Sequence, residues 1–347
     1  MTTNTLKSLS AFGATLSPTG HSQFSNEALS KELPDNIISP IPYYGILLTQ
    51  GPDSRQFLQG QTTCDFDAVT DNQARLGAFC NPKGRMISSF LTARRDDQNY
   101  LLRMRRDIID TTKAAFGKYI VFSKAEQVDI SDQVIVLGLH GDKAKAALID
   151  TFENAPDEKN QLCQQDDQLI LQLDEKGLTF ECWLTVEKAE KYWAQLSQSL
   201  KPVGSNQWQR LTIQRGIGEL NPATIDQFIP QLLNFTLIGA VNFDKGCYTG
   251  QEVVARMHYK GKPKRGLYRI QLRGKNVKEG QELFSDGEQA IGTLINIATV
   301  PSDNQSTHVE ALAVLAHSET EKNLSRENQD DMIKLLNLPY AITTESK

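Results

Sequence analysis

The 347-residue sequence has no CxxC pair, no HxxxH, and no GxGxxG after a strand-like run. Its five cysteines, Cys64, Cys80, Cys163, Cys182 and Cys247, are odd in number and widely spaced. That excludes a disulfide framework, and it excludes an iron–sulfur cluster or structural zinc held by this chain alone, since either needs about four clustered ligands. The five histidines are scattered, and no Ser-His-Asp arrangement can be read from them. No apolar run approaches the ~18 residues of a membrane helix. The first 25 residues are rich in Ser and Thr, with Lys7 the only basic residue before His21. They match neither a secretory signal nor an Arg-rich transit peptide. Residues 1–35 are therefore expected to be a disordered tail, and the protein to be cytoplasmic with reduced thiols. The net charge of −5 gives no general affinity for nucleic acid, and no direct nucleic-acid binding is expected.

What remains is an ordinary globular composition, 39% hydrophobic and 23% charged, in a chain long enough for two or three domains. "YGILLTQG" (Tyr44–Gly51) reads as a strand. "PDSRQFLQG" has helix-start chemistry, with Asp53 or Ser54 as cap. Asn81–Gly84 supplies a turn between two strand-like runs, and "NYLLRMR" (Asn99–Arg105) is another strand. "DIIDTTKAAFGKYI" and "EKAEKYWAQLSQSL" carry apolar residues at helical spacing. "QVIVLGLHG" (Gln133–Gly141) is a buried strand followed by a helix. This alternation up to about residue 200 predicts α+β units. After Pro263 come "RGLYRIQLRG", "AIGTLINIATV" and "THVEALAVLAH", which predict an all-β terminal domain, a small barrel or jelly roll. "ENAPDEKNQLCQQDDQ" and "HSETEKNLSRENQDD" read as exposed loops.

The stretch "KGCYTGQE" (Lys245–Glu252) concentrates chemistry. Gly246 and Gly250 permit positive φ and close backbone approach, but the spacing is not that of a phosphate loop. Lys245, two residues from Cys247, would favour the thiolate and make it a better nucleophile or soft-metal ligand; the plain alternative is a packed structural cysteine. Glu252 would pair with Arg256 if the run from Gln251 is helical. The basic strip beyond, Arg256, Lys260, Lys262, Lys264 and Arg265 with His258 and Tyr259 interleaved, fits single-stranded nucleic acid, a polyanionic ligand tail, an acidic partner, or a solvated hinge.

At these residues the chain resembles the YgfZ proteins, folate-binding relatives of the aminomethyltransferase (T protein) of the glycine cleavage system. "FLQGQTTCDF", "CNPKGRM", "KYIVFSK", "QFIPQLLNFTLIGAVNFDKGCYTGQEVVAR" and "YKGKPKRGLY" carry the resemblance, in order, over about residues 44–268. It implies an α+β, three-domain, ring-like T-protein-type fold, with two α+β domains and a C-terminal β-barrel around a folate pocket. The expected segments are 36–132, 133–205, a return to the folate-binding region at 206–262, and the barrel at 263–347. It implies tetrahydrofolate or a derivative as cofactor, and a role in assembling or repairing iron–sulfur enzymes, including radical methylthiotransferases of tRNA. Iron–sulfur enzymes or cluster carriers are the expected partners, and no membrane is.

Carried over by position, Lys245 and Cys247 fall on the family's functional lysine and cysteine. Trp208 and Tyr44 fall on its folate-contacting aromatics, where stacking on a pterin suits them. Gln214 stands where T proteins have a glutamate that grips the pterin, so Glu219 becomes a substitute acceptor. Tyr248, Gln251, Glu252 and Arg256 complete the expected folate contacts, with Lys245, Arg256 and Lys260 toward the glutamate tail. Cys247 is expected to face the same cavity. The alternatives are a folate-dependent one-carbon transferase and a scaffold that docks acidic carriers.

Overall fold

The computed structural model describes residues 3–25, 27, 32–274, 276–285, 289–300, 308–326 and 333–342. Seven α-helices are present among them: α1 (Thr3–Ala11), α2 (Ser54–Gln61), α3 (Ile109–Ile120), α4 (Ala144–Phe152), α5 (Val186–Leu196), α6 (Ser205–Gln214) and α7 (Gln251–Lys260). None is long and apolar enough to cross a membrane.

Three sheets carry the architecture. The first is antiparallel, in the order Arg75–Cys80, Met86–Asp96, Asn99–Arg105, Tyr44–Gln50, Glu126–Asp129. The second runs Leu162–Gln165, Gln168–Gln172, Thr179–Thr185, Val134–His140, Ile37–Pro40, Lys201–Pro202, with only the last pairing parallel. The third is a half-barrel of six antiparallel strands: Ser325–Arg326, Glu282–Phe284, Ala290–Val300, His308–Ala316, Arg265–Arg273, Lys334–Leu336. The predicted all-β character after Pro263 is thus present. Among the described residues no ladder joins the edge strands Ser325–Arg326 and Lys334–Leu336 to close the ring.

Side-chain alternation sorts the first sheet into two faces. Leu47, Leu102 and Met104 enter one apolar core with Phe57, Phe79 and Phe116. Tyr44, Ile46, Leu48, Leu91 and Leu101 enter another, shared with Val136, Leu171 and Trp183 of the second sheet and with Trp208 and Leu211 of α6. The two sheets therefore meet face to face, and α6 closes the layer between them. Gly138 makes room for this: a Cβ there would lie 2.4 Å from Trp208 Cε3.

The N-terminal segment departs from the disordered tail read from its composition. α1 buries Leu9, and the chain after it buries Phe12. Phe12 stacks on Trp193 of α5 at 4.5 Å, and the Ser8 hydroxyl donates to Glu190 at 2.9 Å. A few apolar side chains suffice because α5 supplies a large aromatic partner, which is invisible from the tail's own sequence. His21 Nδ1 lies 3.1 Å from the Ser205 hydroxyl, so the segment is also tied to the start of α6. Burial and nearby Arg105 lower the His21 pKa to about 4, against the Ser205 contact. Below its unfolded value near 6.5 the unfolded chain binds the proton more readily, so stability is complete above that pH and lost as pH falls toward 4. We expect urea unfolding to show a loss of about 1–2 kcal/mol over that window, discounted for partial exposure, and His21→Gln to flatten it. An unchanged slope in the variant would assign the acid sensitivity elsewhere.

Two local readings are also revised. Neither Asp53 nor Ser54 caps α2. The Asp53 carboxylate accepts from the Lys124 N–H at 2.7 Å, and the Ser54 hydroxyl donates to the Gln98 carbonyl at 2.8 Å. The charged insertion at 153–168 contains the edge strand Leu162–Gln165, which a pairing partner specifies and composition does not. The second insertion begins as a 3-10 turn and the short strand Ser325–Arg326, and its residues 327–331 lie outside the described residues.

Candidate functional site

Two loci emerge, and the predicted residues divide between them. The first lies where the sheets converge. Tyr44 pairs with Arg105 across the ladder, which places Arg103 as its diagonal neighbour on the same face. The Arg103 guanidinium sits 3.9 Å over the Tyr44 ring. It contacts Glu219 at 2.6 Å and Glu181, from the second sheet, at 3.3 Å. The Tyr44 hydroxyl donates to the same Glu219 oxygen, Oε1, at 2.7 Å. Glu181 is held in turn by the Trp183 indole N–H at 2.8 Å.

Glu219 is fixed by the third sheet. Its N–H donates to Asn296 Oδ1 at 2.8 Å, and its carbonyl accepts from Asn296 Nδ2 at 2.9 Å. Asn296 is aimed inward by the register shift between Leu294 and Asn296. All three sheets thus contribute to a single polar cluster: Tyr44 and Arg103 from the first, Glu181 and Trp183 from the second, and Asn296 from the third.

Tyr44, Arg103, Glu181 and Glu219 line a small cavity of about 10 Å³ with Leu76, Leu91, Leu173, Thr212 and Arg215. Two arginines face two glutamates there, so the charges balance. Burial keeps Tyr44 protonated well above the usual tyrosine range, outweighing Arg103, with Glu219 acting in the same direction as burial. Burial opposes the Arg103 charge, but Glu181, Tyr44 and Glu219 overcome it and hold it firmly cationic. One acceptor remains: Glu219 Oε2 is buried with no hydrogen-bond partner. The Nε1 of fully buried Trp208 is likewise unpartnered.

Of the residues expected to contact folate, only Tyr44 and the substitute acceptor Glu219 line this pocket. Trp208 packs in the layer behind it, against Gly138. Gln214 does not line it either: its Nε2 lies 3.4 Å from Glu310 Oε2, beside Arg210 and Arg269, which hold Glu310 at 3.3 and 2.9 Å. A glutamine suits that position because a glutamate would face a second carboxylate. Arg103, Glu181 and Arg215 were missed. Their signal was present: Arg103 alternates with Leu101, and Glu181 with Trp183, each a charge at an inward-facing strand position.

The second locus is the KGCYTGQE loop. Thr63 and Asn242 knit together two of the blocks that carry the family resemblance: Asn242 N–H donates to the Thr63 carbonyl at 2.8 Å, and the Thr63 hydroxyl to the Ala240 carbonyl at 2.7 Å. Gly250, at φ 82°, sits against the Asn81–Gly84 turn, where a Cβ would meet the Asn81 carbonyl at 2.4 Å. α7 begins there, at Gln251. Tyr248 is buried, and Thr249 donates to Gln61 at 2.8 Å.

Lys245 does not do what its spacing suggests. Its ammonium donates to the carbonyls of Gln59, Thr62 and Cys64 at 2.8, 2.8 and 2.7 Å. All three N–H groups are used at the C-terminal end of α2, where orphan carbonyls and the helix dipole favour a cation. Burial lowers its pKa to about 8, with Cys64, Asp65 and Asp67 opposing. It is therefore charged at neutral pH and committed to α2, not directed at Cys247 or at a ligand tail. Cys247 itself is exposed, whereas Cys64, Cys80 and Cys182 are buried and Cys163 half-buried. Burial pushes the Cys64 thiol up to about 11, with Lys245 pulling it down. Cys247 does not line the Tyr44 pocket, contrary to expectation. Glu252 and Arg256 both point to solvent from α7 and form no ion pair with each other. Among the described residues no cluster of His, Cys, Asp and Glu could hold a metal ion.

Residues 42–164 match the GCVT N-terminal domain family. The tRNA-modifying protein YgfZ of Klebsiella pneumoniae (strain 342) is 32% identical over 86% of this chain and 91% of its own. That of Hamiltonella defensa is 33% identical over 91% and 94%. Among solved structures, the glycine cleavage system aminomethyltransferase T from Bartonella henselae superposes with a TM-score of 0.77, covering 98% of this chain and 97% of that one, at 16% identity. The fold is shared with that protein, while the sequence similarity runs to the YgfZ proteins.

Proposed function

The chain belongs to the YgfZ family, and from that premise we propose that it is a tetrahydrofolate-binding accessory protein in tRNA modification. In this reading it supports the assembly or repair of iron–sulfur enzymes, including radical methylthiotransferases of tRNA. Its fold is the three-domain ring of the T-protein type, with residues 36–132 and 206–262 forming the folate-binding domain, 133–205 the second α+β domain and 263–347 the barrel-like third.

The observation that carries the folate reading is the unpartnered Glu219 Oε2 beside Tyr44 and Arg103. A buried carboxylate oxygen without a donor is costly, and a ligand bearing N–H groups would satisfy it. A pterin ring offers an amino group and a ring N–H for that oxygen, and a flat face for the apolar wall. The cavity as it stands is about 10 Å³, room for about one water, so in this reading the lining side chains part to admit the ring. Glu219 thus takes the role that Gln214 cannot, being engaged with Glu310. Reduced folate supplies one-carbon and redox chemistry when bound; Tyr44, Arg103 and Glu219 hold and orient it. Cys247, exposed on the other locus, is the soft thiol available to a client enzyme or its sulfur or iron.

Titrating tetrahydrofolate against tryptophan fluorescence tests this. A saturable change is expected in the wild type, weakened about tenfold or more by Glu219→Gln, which removes the charge-assisted acceptor. Cys247→Ala should leave the titration unchanged and abolish support of client enzymes. Absence of saturation in the wild type would end the folate reading; full client support by Cys247→Ala would end the thiol's role.

A further inference from the structure

The segment from Val253 to Lys278 contains nine Lys and Arg and no Asp or Glu, in a chain whose net charge is −5. The structure shows what surrounds its first half. α7 exposes Arg256, His258, Tyr259 and Lys260; the chain then leaves the helix at Gly261 in extended conformation and exposes Lys262, Lys264 and Arg265 before entering the third sheet. None of these five cations has an acidic partner among the described residues, whereas arginines elsewhere on the surface, such as Arg55 and Arg94, are paired with aspartates.

Aromatic rings stand among the unpaired cations. His258 stacks on Phe243 with centroids 3.8 Å apart and planes within 13°. Tyr259 meets both rings edge-on, at 4.8 and 6.0 Å, and is itself 67% exposed. Phe243 is partly buried against the main apolar core and anchors the stack, while His258 and Tyr259 stay exposed on it, although burying those faces would favour the fold more than displaying them.

We propose that this face binds unpaired nucleotides of RNA, with Tyr259 and His258 as stacking platform and Arg256, Lys260, Lys262, Lys264 and Arg265 tracking the phosphates. The combination of a cationic track with exposed rings is the physical requirement of single-strand binding. A double helix would use the cations but leave the rings idle, and an acidic protein surface would need the cations alone. The preference for RNA over DNA rests on the tRNA-modification reading above; the surface itself does not depend on the folate pocket. Overall acidity, which argued against nucleic acid from the sequence, is a property of the rest of the chain, and local potential at this face is what a strand meets.

Fluorescence anisotropy of the full-length protein with a short labelled oligouridine provides the test. Saturable binding is expected, with log K falling linearly in log salt by about 0.7 per phosphate neutralised. Lys262→Glu combined with Lys264→Glu and Arg265→Glu should abolish it. Tyr259→Ala should weaken it about tenfold with an unchanged salt slope, a split that charge alone does not produce. All these positions are exposed, so unfolding midpoints and the tetrahydrofolate titration should stay at wild-type values, which keeps failure here separate from failure of the folate reading. No binding at low salt, binding indifferent to Tyr259→Ala, or equal competition by polyglutamate would overturn the proposal. The last outcome would assign the face to an acidic protein, and stronger binding of the matching DNA strand would overturn the choice of RNA.

Discussion

Arg103→Met is expected to lower the unfolding free energy by about 3–5 kcal/mol, the cost of leaving buried carboxylates without their cation. Arg103 touches both Glu181 and Glu219, at 3.3 and 2.6 Å, and all three side chains are nearly inaccessible. Methionine preserves much of the volume and removes the charge, so the loss reports electrostatics and hydrogen bonding more than a cavity. In a thermal melt the shift should be on the order of 10 °C. Arg103→Lys should recover only part of it, since a point charge cannot serve two carboxylates and stack on Tyr44 as a planar guanidinium does. A double variant with Glu219→Gln should be less unstable than the sum of the singles, because the second change removes the charge the first orphaned. A loss below about 1 kcal/mol, or strict additivity, would show that solvent reaches the cluster and screens its charges.

Lys245→Met should cost about 2–4 kcal/mol by urea unfolding, since three carbonyls at the end of α2 lose a charge-assisted donor together. Cys247→Ala, two residues away and exposed, should stay within about 0.5 kcal/mol of wild type. The pair separates two explanations of the same motif. If lysine served to activate the cysteine, Lys245→Met would leave stability intact and change only thiol reactivity. The geometry makes it a positioning residue: it clamps the loop that carries Cys247 onto α2, and reactivity should change only as far as the loop loosens. Alkylation of Cys247 across the neutral pH range reads this directly, and a Lys245→Met protein of wild-type stability with a raised thiol pKa would restore the activation model.

These two residues also show where sequence reasoning stops. The strand Tyr44–Gln50, the turn at Asn81–Gly84, the helices at α3 and α5 and the β-rich region after Pro263 were legible because periodicity and Gly/Pro punctuation act locally. The family resemblance was legible because many short blocks occur in one order. The N-terminal helix was not, since its few apolar residues matter only once Trp193 is beside them. Lys245 was misread for the same reason: two residues of spacing placed it near Cys247 along the chain, while the backbone of α2, far away in sequence, offered three acceptors.

Composition and pattern by themselves determined the type of most of the longer elements, the location of the unusual motif and the family. Tertiary structure alone decided that Tyr44, Arg103, Glu181 and Glu219 form one cluster, that Gln214 serves Glu310 instead, and that the basic strip carries a ring stack. The reason is that alternation along a strand says which side chains face inward, but only register and the packing of three sheets say which inward groups meet, and a buried charge takes its chemistry from the partner it meets.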